Sequence, residues 1–230
     1  MSKPLVSVIM AVRNGERFLS SAIESVLAQD YAPTEIIVVD GHSVDRTAAI
    51  ARSYDRVHYV LQDGLGIAGA YNQGIAQTKG ELIAFLSHDD MWISSKLNTQ
   101  VTYMQDNPGI GYTVALAQFF LEPGCSVPPG FRRELLVGDH VARVMENLVV
   151  WRWVVDRIGG FDTSLRISED VDWFLRASDM GISMAIIPRV LLRKRVHDAN
   201  SSLFEPSKNA DLLAAVKNSI RRKRVMGHNA

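Results

Sequence analysis

Between Leu5 and Leu86 the chain alternates, without exception, short apolar runs with segments of helical period. "LVSVIMAV" (Leu5–Val12) is brief and rich in β-branched residues, as a strand buried on both faces is. "FLSSAIESVLAQ" (Phe18–Gln29) instead spaces Leu19, Ile23, Val26 and Leu27 along one helical face. The cycle then repeats. "EIIVVD" (Glu35–Asp40) is a second strand, and a helix begins at Asp45-Arg46-Thr47, with Asp45 as its N-cap, ending near Ser53. "VHYVL" (Val57–Leu61), "IAGAYNQGIAQT" (Ile67–Thr78) and "ELIAFL" (Glu81–Leu86) supply a strand, a helix and a strand. Units of this length imply right-handed βαβ crossovers. The expected fold class is α/β, a Rossmann-like, mostly parallel sheet flanked by helices.

After Asp90 the rhythm changes. Ser94 or Ser95 is placed to cap a helix reaching about Asp106, which Asn107-Pro108-Gly109 stops. "EPGCSVPPG" (Glu122–Gly130) reads as a surface loop. Ile167–Gly181 reads as a helix with Trp173, Phe174 and Ala177 inward and Gly181 ending it. "SMAIIP" is a further strand, and residues 209–224 form a last helix with a basic end.

Composition narrows the function classes. At 47% hydrophobic residues, the 230-residue chain has material for a real core. Lys+Arg and Asp+Glu both number 25, so zero net charge gives no reason to expect a nucleic-acid partner. The lone Cys125 excludes an internal disulfide and fits a reducing compartment. No apolar run approaches the roughly 18 residues of a membrane span; Tyr112–Leu121 is short and Leu148–Val155 is broken by Arg152. Val6–Val12 is too brief for a signal segment. A soluble cytoplasmic protein is expected.

In open parallel sheets, ligands bind at the carboxyl ends of strands. Three of these strands end in polar residues: Arg13-Asn14-Gly15, Asp40-Gly41-His42-Ser43 and Ser87-His88-Asp89-Asp90. Asp40 and Asp89 thus fall on one rim. An acid ending the second strand suits a ribose hydroxyl or a base N–H, and equally a turn or a helix cap. The pair Asp89-Asp90 poses a sharper problem. Two like charges about 4 Å apart repel by about 4 kcal/mol at an effective dielectric near 20. Solvent, a basic neighbour or a bound cation has to offset that. A dinucleotide dehydrogenase is excluded, because "VRNGERF" holds one glycine where G-x-G-x-x-G is needed.

Four blocks, in order, carry a resemblance to a known family. "VSVIMAVRNGERFLSSAIESVLAQDY" with "EIIVVDGHSVDRT" resembles the opening of family 2 glycosyltransferases, and "GIAGAYNQGIAQTKGELIAFLSHDDMW" resembles their next block. "RIGGFDTSLRISEDVDWFLRA" and "RVHDANSS" are similar to their acceptor-side and closing motifs. The second block is nearest the branch associated with cell-surface polysaccharide. The resemblance implies a GT-A fold in a single domain, with a nucleotide-sugar-binding half (1–110), an acceptor half (111–205) and a basic C-terminal helix (206–230). It further implies inverting transfer of a sugar from a UDP-, GDP- or dTDP-linked donor to a glycan or glycolipid acceptor, in polysaccharide, lipopolysaccharide or glycolipid synthesis.

Carried over by position, the resemblance gives each residue a role. Ala11, Val12, Arg13, Asp40, Asn72, His88 and Asp89 would bind the nucleotide. Asp89, Asp90 and His197 would hold a divalent metal, Mn²⁺ or Mg²⁺, against the donor's diphosphate. Asp170 would be the catalytic base, with Glu169 beside it. The chain departs from the family's pattern twice: Gly41 replaces a second aspartate after Asp40, and Ser87 stands where the metal block begins with aspartate.

Plainer roles stand beside these. Asp89-Asp90 also suits a solvated turn, Asp170 and Asp172 suit carboxylates at a helix N-terminus, and His88, Trp92 and Trp173 suit packing positions. Arg13 and Arg195 are candidates for approaching the diphosphate. Lys217–Arg224 either complements the dipole of its own helix or rests on an anionic membrane surface at the inner face of the plasma membrane. Two other classes compete: a sugar-phosphate nucleotidyltransferase, which needs a glycine- and lysine-rich loop that "VRNGERF" lacks, and a non-catalytic nucleotide-sugar-binding module.

Overall fold

The computed structural model describes residues 3–198 and 208–227. The first half alternates as the pattern predicts: β1 (Val6–Val12), α1 (Leu19–Leu27), β2 (Thr34–Asp40), α2 (Thr47–Arg52), β3 (Val57–Leu61), α3 (Ile67–Gln77) and β4 (Leu82–Phe85). The second half comprises β5 (Met91–Trp92), α4 (Lys96–Asp106), β6 (Tyr112–Leu121), β7 (His140–Val141), β8 (Val149–Trp151), α5 (Arg152–Ile158), α6 (Glu169–Asp179), β9 (Met184–Val196) and α7 (Lys208–Gly227). The strands join in one sheet ordered β3-β2-β1-β4-β8-β6-β9-β5, with β7 paired to β6.

Strands β3, β2, β1 and β4 run parallel, and so do β6 and β9. Strand β8 is antiparallel to both β4 and β6, and so splices the two parallel blocks. Two-sided burial explains the unbroken apolar runs. Val6, Val8, Met10 and Val12 of β1 pack with Leu19, Ile23, Leu97 and Val101 on one face. Ile9 packs on the other with Tyr71, Phe85 and Trp173. Each such side chain contributes about 1.5–3 kcal/mol on burial. Helix α3 lies close on the sheet at Gly74, where a Cβ would stand 2.5 Å from Ile9 Cγ2.

Two local expectations change. Helix α2 begins two residues after Asp45, which accepts hydrogen bonds from the Thr47 amide (3.0 Å) and from the Glu16 amide (3.0 Å), tying the helix start to the loop after β1. Strand β9 continues well beyond "SMAIIP": Pro188 lies where the β6–β9 register shifts, a place that tolerates a missing N–H. The apolar runs Tyr112–Leu121 and Leu148–Val155 are β6 and β8–α5, interior parts of the sheet and its flank. Among the described residues no helix is long and apolar enough to cross a membrane. Gly181 follows α6 with φ +69°, the left-handed end the sequence suggested. Ser201 and Ser202 of the closing motif lie outside the described residues.

Candidate active site

A cleft of about 780 Å³ opens at the carboxyl ends of β1, β2 and β4, within the size range of small-molecule sites. Its walls are Ala11–Asn14 at the end of β1 and just beyond, Gly41 after β2 and Ser87–Asp89 after β4. Opposite stand Val144–Glu146, the start of α6, Lys194 near the end of β9 and His197 just after it. The non-glycine residues with positive φ gather here: Asn14 (52°) and Ser168 (68°) line the cleft, and His42 (61°) sits in the turn beside Gly41. Strained backbone of this kind clusters at functional sites.

The adjacent carboxylates Asp89 and Asp90 part company. Asp90 is only 1% exposed and accepts hydrogen bonds from Lys194 Nζ (2.7 Å) and the Arg195 amide (2.8 Å). It does not line the cleft, so its expected place among metal ligands is corrected: it is the anchor that pins the turn to β9. Asp89 does line the cleft, with Oδ2 3.2 Å from His197 Nε2. Burial opposes its charge, but the His197 hydrogen bond, His88 and Lys194 together hold its carboxyl well below the ordinary carboxylate range. Separate partners, Lys194 for one and His197 for the other, offset part of the repulsion, while burial foremost, with Asp89 and Glu146 adding to it, still raises the Asp90 carboxyl. His88 also lines the cleft, and burial lowers its pKa, which favours the neutral imidazole.

Asp89 and His197 offer one anionic oxygen and one imidazole nitrogen side by side, a donor set that suits Mn²⁺ or Mg²⁺ when substrate phosphates complete the shell. Among the described residues no group of three or more His, Cys, Asp or Glu side chains is arranged to hold a metal. The fit is therefore that of a two-donor corner.

Glu169 and Asp170 begin α6 and line the same cleft. Glu169 is 6% exposed, and its Oε2 finds no hydrogen-bond partner among the described residues. Burial foremost, then the neighbouring Asp170, pushes its carboxyl up to about 8. Asp170 is raised chiefly by burial too, while its Oδ1 accepts the Val171 amide at 2.7 Å. Asp172 is a structural partner of Arg176 (2.7 Å) and Arg222 (3.6 Å), in keeping with its plainer reading. Tyr71 forms part of the floor. Its phenol is raised well above the usual value, first by burial and then by Glu146, Glu169, Asp170 and Asp89.

Other expected contacts move back from the cleft. Asp40 is 1% exposed, and its oxygens accept the Ser43 amide (2.8 Å) and the Tyr59 hydroxyl (2.8 Å), so it shapes the turn while Gly41 faces the ligand space. Asn72 exchanges two hydrogen bonds with the Phe161 backbone (2.9 and 2.7 Å), bracing the loop before α6. That loop needs Gly160, whose Cβ would stand 2.4 Å from Asn72 Oδ1. Arg195 is buried, donates to the Asp89 carbonyl (2.8 Å) and pairs with Glu122. Sequence reasoning missed Gln62, Glu146, Arg166 and Lys194, all of which line the cleft. Only the basic run Arg193-Lys194-Arg195 gave a hint, and nothing marked Glu146.

A mostly parallel sheet carrying an acidic, histidine-bearing rim opposite a buried carboxyl pair is the architecture of a GT-A fold, and the likeness to solved structures bears this out. The mannosyltransferase from Pyrobaculum calidifontis in complex with GDP-Man and Mn²⁺ superposes with a TM-score of 0.75 at 21% identity, over 96% of this chain and 65% of that one. Staphylococcus aureus TarS 1-349 in complex with UDP-GlcNAc gives 0.73 at 18% identity, over 94% and 66%. The profile of glycosyl transferase family 2 matches residues 7–140, and the chain belongs to that family. An uncharacterized glycosyltransferase of Rickettsia typhi is 34% identical over 219 residues, covering 86% of this chain and 66% of the relative. The Escherichia coli UDP-Glc:alpha-D-GlcNAc-diphosphoundecaprenol beta-1,3-glucosyltransferase is 39% identical over 110 residues, 46% of this chain and 44% of that one. The chain therefore spans just under two thirds of the length of the rickettsial relative.

Proposed function

We propose that this chain transfers a sugar from a nucleoside-diphosphate-sugar donor to a hydroxyl of a glycan or glycolipid acceptor, in one displacement that inverts the anomeric centre. The observation that carries this reading is the facing of two unlike acid centres across one cleft: Asp89, held ionised beside His197, and the buried pair Glu169–Asp170. Binding of UDP-GlcNAc and of GDP-Man by proteins of the same fold supports a UDP-, GDP- or dTDP-linked donor. The diphosphoundecaprenol-linked acceptor in the name of the Escherichia coli relative, and the name of the putative teichuronic acid biosynthesis glycosyltransferase TuaG of Bacillus subtilis, support the acceptor class.

Each residue then has a task. Ala11, Val12 and Arg13 line the nucleotide end of the cleft, while Asp40 keeps the turn beside it in shape. Asp89 and His197 would hold Mn²⁺ or Mg²⁺, which when bound supplies positive charge against the departing diphosphate. Asp170 accepts the acceptor hydroxyl's proton as that oxygen bonds to the anomeric carbon and the carbon–phosphate oxygen bond breaks. Glu169 is largely protonated at neutral pH, with its carboxyl near 8, so it donates a hydrogen bond to an acceptor oxygen and adds no second negative charge.

Helix α7 fits the same reading. Leu212, Leu213, Val216 and Ile220 are 39%, 58%, 40% and 48% exposed. Exposed Lys217 and Arg221 flank this stripe, while Ser219 and Arg222 tie the opposite face to Asp179 (2.9 Å each). Apolar side chains bordered by cations match an anionic lipid surface at the inner face of the plasma membrane, where a lipid-linked acceptor would lie.

Asp170→Asn tests the chemistry. The variant keeps nucleotide-sugar affinity in titration calorimetry while turnover falls about 10²–10⁴-fold, the usual contribution of a positioned general base. Turnover equal to the wild type moves the base elsewhere.

A further inference from the structure

One irregular turn in this molecule is anchored far more firmly than its length requires. In Met145–Asn147, the Glu146 carbonyl accepts Trp92 Nε1 (2.8 Å), and the Asn147 carbonyl accepts Lys96 Nζ (3.1 Å) and Gln100 Nε2 (3.1 Å). Asn147 Nδ2 donates to the carbonyls of Ala115 (2.6 Å) and Ala142 (3.2 Å). Lys96, Gln100 and Asn147 are all 0% exposed. No acidic side chain among the described residues pairs with Lys96, and burial pushes its pKa well below the usual lysine value. Burying a lysine without a counter-charge is costly. Its role here is to fix the turn.

What the turn presents is Glu146. Asn147 is buried away from the cleft and Met145 is buried in the core with only an edge on the cleft wall, whereas the largely buried Glu146 brings a carboxylate to it. Its Oε1 accepts the Ser87 hydroxyl (2.5 Å) and lies 3.3 Å from Lys194 Nζ, while Oε2 takes no hydrogen bond among the described residues. Lys194 in turn pairs with Asp90. The start of α6 lines the same cleft, and Glu146 is the leading charged neighbour of Asp170. Glu146 therefore shares one cleft with the Asp89–His197 corner and the Asp170–Glu169 pair.

In a single displacement the transferred sugar must lie between the leaving phosphate and the attacking hydroxyl. A carboxylate is an acceptor only, and sugar hydroxyls are donors. Resting on the reading above, we propose that Glu146 is a specificity-determining residue that accepts a hydrogen bond from a hydroxyl of the transferred sugar, with Ser87 and Lys194 fixing its orientation. Ser87 thus gains a positive use at the place where it departs from the family pattern: it steers a carboxylate supplied by a segment some sixty residues later.

The test is titration calorimetry in Mn²⁺, comparing UDP, GDP and dTDP with UDP-Glc, UDP-GlcNAc and GDP-Man on wild type and Glu146→Gln. For the nucleotide that binds, Glu146→Gln weakens the nucleotide sugar at least about tenfold, as loss of a charge-assisted hydrogen bond does, and leaves the nucleoside diphosphate within about twofold. Ser87→Ala, which leaves the turn intact, shifts the same ratio in the same direction by less, and it serves if Glu146→Gln does not fold. An unchanged ratio, or equal loss for sugar and nucleoside diphosphate, overturns the assignment while the functional reading stands. Failure of the wild type to bind any of the nucleotides overturns both.

Discussion

At the residue scale, the site depends on giving neighbouring carboxyl groups different environments. Glu169 shows this most clearly. Its ordinary value is 4.5, and in the fold it is raised to about 8, first by burial and then by Asp170, Glu146 and Asp211. Between those values the folded protein keeps a proton that the unfolded chain has lost. The stability contributed by the neutral acid is full below 4.5 and is lost as pH rises through 8. Thermal midpoints of Glu169→Gln and wild type, measured from pH 4.5 to 9, are expected to diverge in the variant's favour by several degrees up to about pH 8 and then level off. A constant difference across that range would mean that Glu169 is ionised in the fold. Asp89, Asp170 and His197 were legible as cleft residues because a short motif carries each of them. Asp40, Asn72 and Asp90 were not, because what draws each side chain away is a partner distant in sequence: Tyr59, Phe161 and Lys194.

At the element scale, the first half of the fold could be read almost to the residue, since strands buried on both faces and helices of period 3.6 leave unlike patterns. The second half could not. Strand β8 has three residues, too few to show a period, and α5 follows it without a break. Strand β9 runs through a proline that reads as a stop, yet the register shift beside it accommodates the missing donor. Helix α7 was legible as a basic helix, and the structure adds which side is covered: Ala215 and Ser219 are buried, while the leucines face out. If that outer stripe rests on anionic lipid, replacing Lys217 and Arg221 together with alanine weakens binding to phosphatidylglycerol vesicles roughly 30-fold, at about 1 kcal/mol per basic residue. Binding to pure phosphatidylcholine should be little affected. Equal sedimentation of variant and wild type with anionic vesicles would dismiss the membrane role.

At the scale of the whole molecule, the cleft lies where two different kinds of construction meet. The parallel β1–β2–β4 rim supplies Arg13, Gly41 and Asp89, and the mixed second half supplies Glu146, Asp170, Lys194 and His197. The Lys194 side chain and the backbone amide and guanidinium of Arg195 cross that seam by gripping the 87–90 turn. The measurement that tests this account most directly is nucleoside-diphosphate binding with and without Mn²⁺, on wild type and Asp89→Asn. A ligand that binds only the native state raises stability by about 2.7 kcal/mol at a hundred times its Kd. The account predicts a Mn²⁺-dependent rise in thermal midpoint for one nucleotide in the wild type, and its loss in Asp89→Asn. A rise of the same size in Asp89→Asn, or one indifferent to the metal, would contradict it.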